Sequence, residues 1–171
     1  MENTHESALA AAEIVADAQG KIIGKTRLQK AAYFLESLGV GAGFPFYYKH
    51  YGPYSDELSS ALHYAKVLGL TNEETKKATW GGEYVIYSSG EAVGSDNPVR
   101  HEVLSIANDA SPVALELAAT ALFLKSEGSP EPWTEVSGLK PSKASAENLR
   151  MAHEVYRQIR ELNAPKRLPD L

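Results

Sequence analysis

Apolar residues recur at helical spacing along most of the chain. Leu28, Ala31, Ala32, Leu35 and Leu38 form one continuous stripe, which predicts a helix over 26–38. Thr26 and Gln29 stand at capping-box spacing at its start, and Gly39 stops it ahead of a flexible turn at Gly41 and Gly43. Leu58, Leu62, Ala65 and Leu68 predict a second such helix over 55–68. Ser55 caps it, Asp56 and Glu57 occupy its first turn, and Gly69-Leu70 supplies a Schellman-type ending. Residues 4–18 read as a first amphipathic helix with Leu9, Ala12 and Ala16 on one side, closed by Gly20. Asn97-Pro98 and Ser111-Pro112 each set a capping residue before a proline at the first helical position. The second of these helices runs to Lys125 and is so apolar, at Val113, Leu117, Ala121 and Leu124, that it belongs at the centre of the core. A loop around Pro130 and Pro132 leads through Trp133 to a last helix over 145–162.

Two stretches break the helical period. Residues 75–80 and 83–87 flank Gly81-Gly82, a two-residue hairpin signal, and Tyr84 and Ile86 alternate with Val85 and Tyr87. Phe46-Tyr47-Tyr48-Lys49-His50-Tyr51 is extended in propensity and is broken by Gly52-Pro53. The expected fold class is mainly α, of α+β type: a compact helical domain of about six helices with one small β-hairpin and a short aromatic extended segment. It forms a single domain over 1–162, with the polar loop 88–97 as a candidate internal boundary and 163–171 as a disordered tail.

Composition narrows the function classes. The chain of 171 residues is 43% hydrophobic and carries a formal charge of −5, so a core is affordable and a free-standing basic nucleic-acid binder is disfavoured. The absence of cysteine removes disulfides, thiolate catalysis and Cys-type zinc sites. The acidic N-terminus lacks the positive region of a signal peptide, and no stretch approaches the roughly 18 apolar residues of a spanning helix. A cytoplasmic protein with no membrane partner is expected.

Four candidate chemistries fail on inspection. Gly20-Lys21-Ile22-Ile23-Gly24-Lys25-Thr26 is one residue short of a phosphate loop and follows a helix where a buried strand is required, so Thr26 reads as a helix cap. Ser137-to-Lys140 and Ser95-Asp96-Asn97 match two β-lactamase marks in reversed order, with the third absent. His5, His50, His63, His101 and His153 show no recognised ligand spacing, and no Ser/His/Asp set can be assembled from the sequence. The expectation is a non-enzymatic protein with no metal and no cofactor.

The densest chemistry lies in FPFYYKHYGPYSDEL, residues 44–58. In an extended segment Phe46, Tyr48 and His50 share one side, and Tyr47, Lys49 and Tyr51 the other. Such a strip can fill a core from one face and present amphipathic rings from the other, where tyrosine is an efficient contact residue. It can equally be a tyrosine-rich structural corner around Gly52-Pro53, and the two roles do not exclude each other. Tyr47, Tyr48, His50, Tyr51 and Tyr54 are the candidate partner-binding residues.

Lys25-Thr-Arg-Leu28-Gln29-Lys30-Ala-Ala-Tyr33-Phe-Leu, followed by Tyr48-Lys-His-Tyr51-Gly52-Pro53-Tyr54-Ser-Asp-Glu-Leu58, resembles the SocA-like, or Panacea, antitoxin domain, often met as phage-associated proteins. The match continues in 115–124 and 140–149. The resemblance implies a mostly helical domain that binds and neutralises a toxin, in some members by delivering it to a protease. The motif positions it carries over are Lys25, Leu28, Gln29, Lys30, Tyr33, Tyr51, Gly52, Pro53 and Tyr54. The alternative is a DNA-binding regulator, since helix 26–38, helix 55–68 and the hairpin at 75–87 follow in winged-helix order with Lys76 and Lys77 on the wing. Against it, Asp56 and Glu57 stand at the helix end that would enter a groove.

Overall fold

A computed structural model of the chain describes residues 3–171; Met1 and Glu2, the first residues of the acidic N-terminal segment, lie outside them. The elements are α1 (Thr4–Asp17), β1 (Lys21–Ile23), α2 (Lys25–Ser37), β2 (Tyr47–Lys49), β3 (Gly52–Tyr54) and α3 (Asp56–Val67). They continue with β4 (Thr71–Lys77), β5 (Glu83–Ser89), α4 (Pro98–Asp109), α5 (Pro112–Ser126), α6 (Pro132–Leu139) and α7 (Ala146–Arg160). The protein is mainly helical with small antiparallel sheets, an α+β chain of the expected class.

Helix boundaries follow local chemistry. Ser55, Asn97 and Ser111 each accept a backbone N–H of the helix they precede, and Pro98 and Pro112 open α4 and α5. Behind α2 and α3 the chain turns through Gly39 (φ +81°) and Gly69 (φ +76°). In both places the next residue reaches back to the helix: Val40 N–H to Leu35 O and Leu70 N–H to Ala65 O, a Schellman closure. The core gathers around α5, whose residues from Ala114 to Leu122 are all buried between α2, α6 and α7. One cluster of buried side chains runs from Ala11 to Leu168, on both sides of the loop 88–97.

Six local expectations need correction. Thr26 is not the cap of α2: Gly24 N–H donates to Val85 O, so strand pairing holds the chain to residue 24, and Gly24 itself (φ +99°) turns into the helix. Residues 21–23, read as part of a turn, are therefore strand β1. On α1 the buried face is Ala8, Ala11, Ala12 and Val15, while Leu9 is 44% exposed. The first hairpin strand lies at Thr71–Lys77 rather than 75–80; Lys77 pairs with Glu83, and residues 78–82, including the exposed Trp80, form the turn. TNEETKK is a charged edge strand with one buried residue, a pattern that alternation cannot reveal. A seventh helix, α6, begins at Pro132, where proline is the first helical residue and not loop punctuation. Lastly, the tail is ordered. Lys166 N–H donates to Leu38 O, Leu168 is buried, and Tyr156 and Arg160 donate to the Pro169 and Leu168 carbonyls.

The sheet order is β1-β5-β4, all antiparallel. A helix, a strand, two helices and then a hairpin whose second strand pairs with the first strand is the winged-helix connection pattern. Here the separate β2–β3 ribbon is inserted between its second and third helices. Among the described residues, no helix is long and apolar enough to cross a membrane.

Candidate functional site

The inserted ribbon is the tyrosine segment. β2 and β3 pair Tyr47 with Tyr54, Tyr48 with Pro53 and Lys49 with Gly52, leaving His50 and Tyr51 at the tip. Alternation sorts the side chains as expected of a strand. Tyr47 and Lys49 both turn to the first turn of α3: the Tyr47 hydroxyl donates to Glu57 Oε1 (3.1 Å) and Lys49 Nζ pairs with Asp56 Oδ1 (2.7 Å). Each bond favours the protonated form, so both groups are pushed up from their ordinary pKa values. Lys49 also covers the Tyr54 ring, 4.9 Å from its centroid. Tyr48 faces the other way, toward Phe123 of α5 (ring centroids 5.9 Å), and Phe46 meets Tyr33 edge-on at 5.3 Å. Partial burial, and after it the charges of Glu116 and Glu135, push the Tyr48 hydroxyl up.

Beneath the ribbon lies a set of buried polar supports. Gln29 grips Ser55 with both ends of its amide, Nε2 donating to Ser55 O (3.0 Å) and Oε1 accepting from Ser55 N–H (2.8 Å). Lys30 is fully buried and donates to Pro53 O at 2.7 Å. Lys140 donates to His50 O at 3.1 Å. Burial is the largest cause that lowers Lys30 to about 8. Glu36 Oε1 accepts the N–H groups of Ala42, Gly43 and Phe44, which fixes the approach to β2. Gly52 (φ +90°) lies against Thr120 of α5: a Cβ there would stand 2.3 Å from Thr120 Oγ1.

These contacts divide the predicted residues into two groups. Gln29, Lys30, Tyr33, Gly52 and Pro53 are buried and hold the ribbon, while Tyr47, Tyr48, His50 and Tyr51 are exposed upon it, and Tyr54 is half-buried. Lys25 is not brought to this place. It lines a separate groove of about 560 Å³ with Trp80 and Tyr84. Sequence reasoning missed Glu116, Lys140 and Lys143, which form the floor. Glu116 Oε2 pairs with Lys140 (3.0 Å) and Oε1 with Lys143 (2.9 Å). The available signal was a lone acid between Leu115 and Leu117 in an otherwise apolar helix, a position that demands a buried cationic partner.

A Ser/His/Asp grouping that the sequence could not assemble does exist at Asp17. Its buried carboxylate accepts from Ser95 N–H and Oγ, pairs with Arg100 Nε at 2.6 Å, and lies 3.2 Å from His101 Nε2. The Ser95 hydroxyl faces Asp17, and His101 meets the Ser95 carbonyl, so the imidazole is not placed to activate that hydroxyl. Among the described residues, no group of three His, Asp or Glu side chains could hold a metal ion.

The fold and site thus define an α+β chain of winged-helix connectivity carrying a buttressed tyrosine ribbon. No family model matches the chain, and no solved structure matches it. Among curated sequences it is similar to the uncharacterized protein YwgA of Bacillus subtilis (strain 168). The two are 32% identical over 114 residues, which span 61% of this chain and 66% of that protein.

Proposed function

We propose that the chain is a non-enzymatic, antitoxin-like protein-binding domain of the cytoplasm, whose tyrosine ribbon binds a partner toxin and neutralises it, directly or by presenting it to a protease. The observation that carries this reading is the rigidity of the ribbon's support. Tyr47, Tyr48 and Tyr51 are 46%, 42% and 56% exposed on a backbone held from below by Gln29, Lys30 and Lys140. Large rings on a pre-ordered backbone bind with little further loss of entropy. The resemblance of 25–35 and 48–58 to the SocA-like domain supports a toxin as the partner. In this reading the buried motif residues are the ribbon's supports and the exposed tyrosines its contacts.

The test is capture of the partner on tagged protein from the native cells, followed by expression of the captured protein alone and with this chain. Toxicity that co-expression lifts, and that a folded Tyr48→Ala/Tyr51→Ala double mutant fails to lift, is the expected result. Unchanged neutralisation by that mutant would sink the site assignment.

The connection pattern favours one further reading, DNA binding through α3 and the β4–β5 wing. The charge is unhelpful: Asp56 and Glu57 open α3, Lys66 lies 3.7 Å from Glu73, and Lys76 lies 3.8 Å from Glu74. Steeply salt-dependent binding to duplex DNA would support it, and none at low salt would remove it.

A further inference from the structure

The floor of the ribbon is not electrically balanced. Lys30, Lys140 and Lys143 are grouped round one buried carboxylate, Glu116, whose charge and those of the other two lysines all act on Lys30. Glu116 is shared by Lys140 and Lys143, and Lys30 is satisfied by a carbonyl alone. Three ammonium groups against one carboxylate leave an excess of positive charge in a region mostly shielded from water, where charge is poorly screened. The excess has one opening. Lys30 is sealed and Lys140 is 7% exposed, but the Lys143 side chain is 33% exposed. Its ammonium lies 4.7 Å from the centroid of the Tyr51 ring, the most exposed ring of the ribbon. Glu135, an exposed residue of α6, is the other carboxylate felt nearby, at Tyr48.

We infer that Lys143, beside the exposed Tyr51 ring, receives a carboxylate side chain of the partner protein, so that the ribbon recognises an acidic residue set among apolar ones. The inference rests on the protein-binding reading above and adds the chemistry of what is bound. A partner carboxylate would reach Lys143 from the open side while Glu116 holds it from beneath. The Tyr51 ring would shed water from the contact, and a charge pair strengthens as its surroundings dry. The chain as a whole is acidic, with a formal charge of −5, so attraction to an acidic partner must come from this local excess.

Acetyl-tetraglutamate amide and its tetraglutamine counterpart, titrated into the whole lysine- and tyrosine-labelled protein at low salt, test the inference by NMR. The expected result is movement of the Lys143 side-chain and Tyr51 ring signals with the glutamate peptide only. That movement should shrink several-fold as salt shortens the Debye length to about 8 Å. In the variants the Tyr51 ring is the readout: its movement should vanish in Lys143→Gln and persist in Lys143→Arg, which also controls for folding. No movement at these residues, equal movement with tetraglutamine, or movement confined to other lysines would overturn it. Such an outcome leaves the partner-capture experiment untouched, so the two readings fail separately.

Discussion

Gly52 is the position where the ribbon and the core meet most closely, and replacing it with alanine separates two costs. The first is conformational: an L-residue at φ +90° costs about 1–2 kcal/mol. The second is steric: the new Cβ would stand 2.3 Å from Thr120 Oγ1, inside a packed helix, and overpacking of this kind costs about 1–3 kcal/mol. Together Gly52→Ala should destabilise the protein by about 2–5 kcal/mol, a fall in Tm of roughly 5–15 °C for a chain of this size. Thr120→Ala removes the offending oxygen. That hydroxyl is buried without a hydrogen-bond partner, so its loss offsets most of the methyl group lost with it, and the single mutant should lie within about 1 kcal/mol of wild type. The remaining neighbours, Thr120 Cβ and Cα, stand at 3.5 and 3.8 Å, ordinary contact. Urea denaturation of all four proteins, with m unchanged, should then give a favourable coupling of about 1–3 kcal/mol in the double mutant. Additive single effects, with a coupling under about 0.5 kcal/mol, would refute the steric argument and leave only the backbone cost.

Three further outcomes follow from other contacts. Gln29→Leu strands the buried Ser55 N–H, while the Ser55 carbonyl keeps the Ser59 N–H, and should cost about 1–3 kcal/mol in thermal or urea unfolding; a loss under about 0.5 kcal/mol would mean the ribbon is not anchored there. Lys30 sits at about 8, below its ordinary 10.5, so the folded state binds that proton less tightly than the unfolded chain does. The resulting cost is present in full below pH 8 and is relieved as pH rises toward 10.5, by at most about 3 kcal/mol. Above pH 10 the buried hydroxyls of Tyr33, Tyr87 and Tyr156, raised by burial, act in the opposite sense and stability falls. Stability should therefore climb between pH 8 and about 10 in the wild type and not in Lys30→Met; a steady decline over that range in both would contradict the burial of a charged Lys30. Leu168→Ala should cost about 2–5 kcal/mol, whereas a tail free of the core would show no change in Tm.

The helices were legible because each carried its own punctuation. Ser55, Asn97-Pro98 and Ser111-Pro112 act through atoms within three residues of themselves, so their meaning survives without knowledge of the fold. The tyrosine ribbon was legible as an unusual composition, and its alternation sorted Tyr47 and Lys49 from Tyr48. What failed was non-local. β1 exists because Ile22 finds Tyr87 far along the chain, and β4 because a charged edge needs only one neighbour. Gln29, read as a capping partner, spends its amide on Ser55 instead. The tail is held largely through backbone groups, whose partners no side-chain composition can announce. Glu116 left a visible mark, but the lysines that answer it lie beyond another helix boundary, and only packing brings them beneath the ribbon.

Lys140 reaches both Glu116 and the His50 carbonyl, and Lys143 reaches both Glu116 and the Tyr51 ring. The ribbon tip is thereby tied to the connection between α6 and α7. A free two-residue tip would move on the nanosecond scale of ordinary loops; this one can swing out only when the lysines let go, which moves its opening toward microseconds or slower. Residues 49–52 and 140–143 should consequently share one relaxation rate, and a ligand that stills the tyrosines will quiet the α6–α7 connection in the same step.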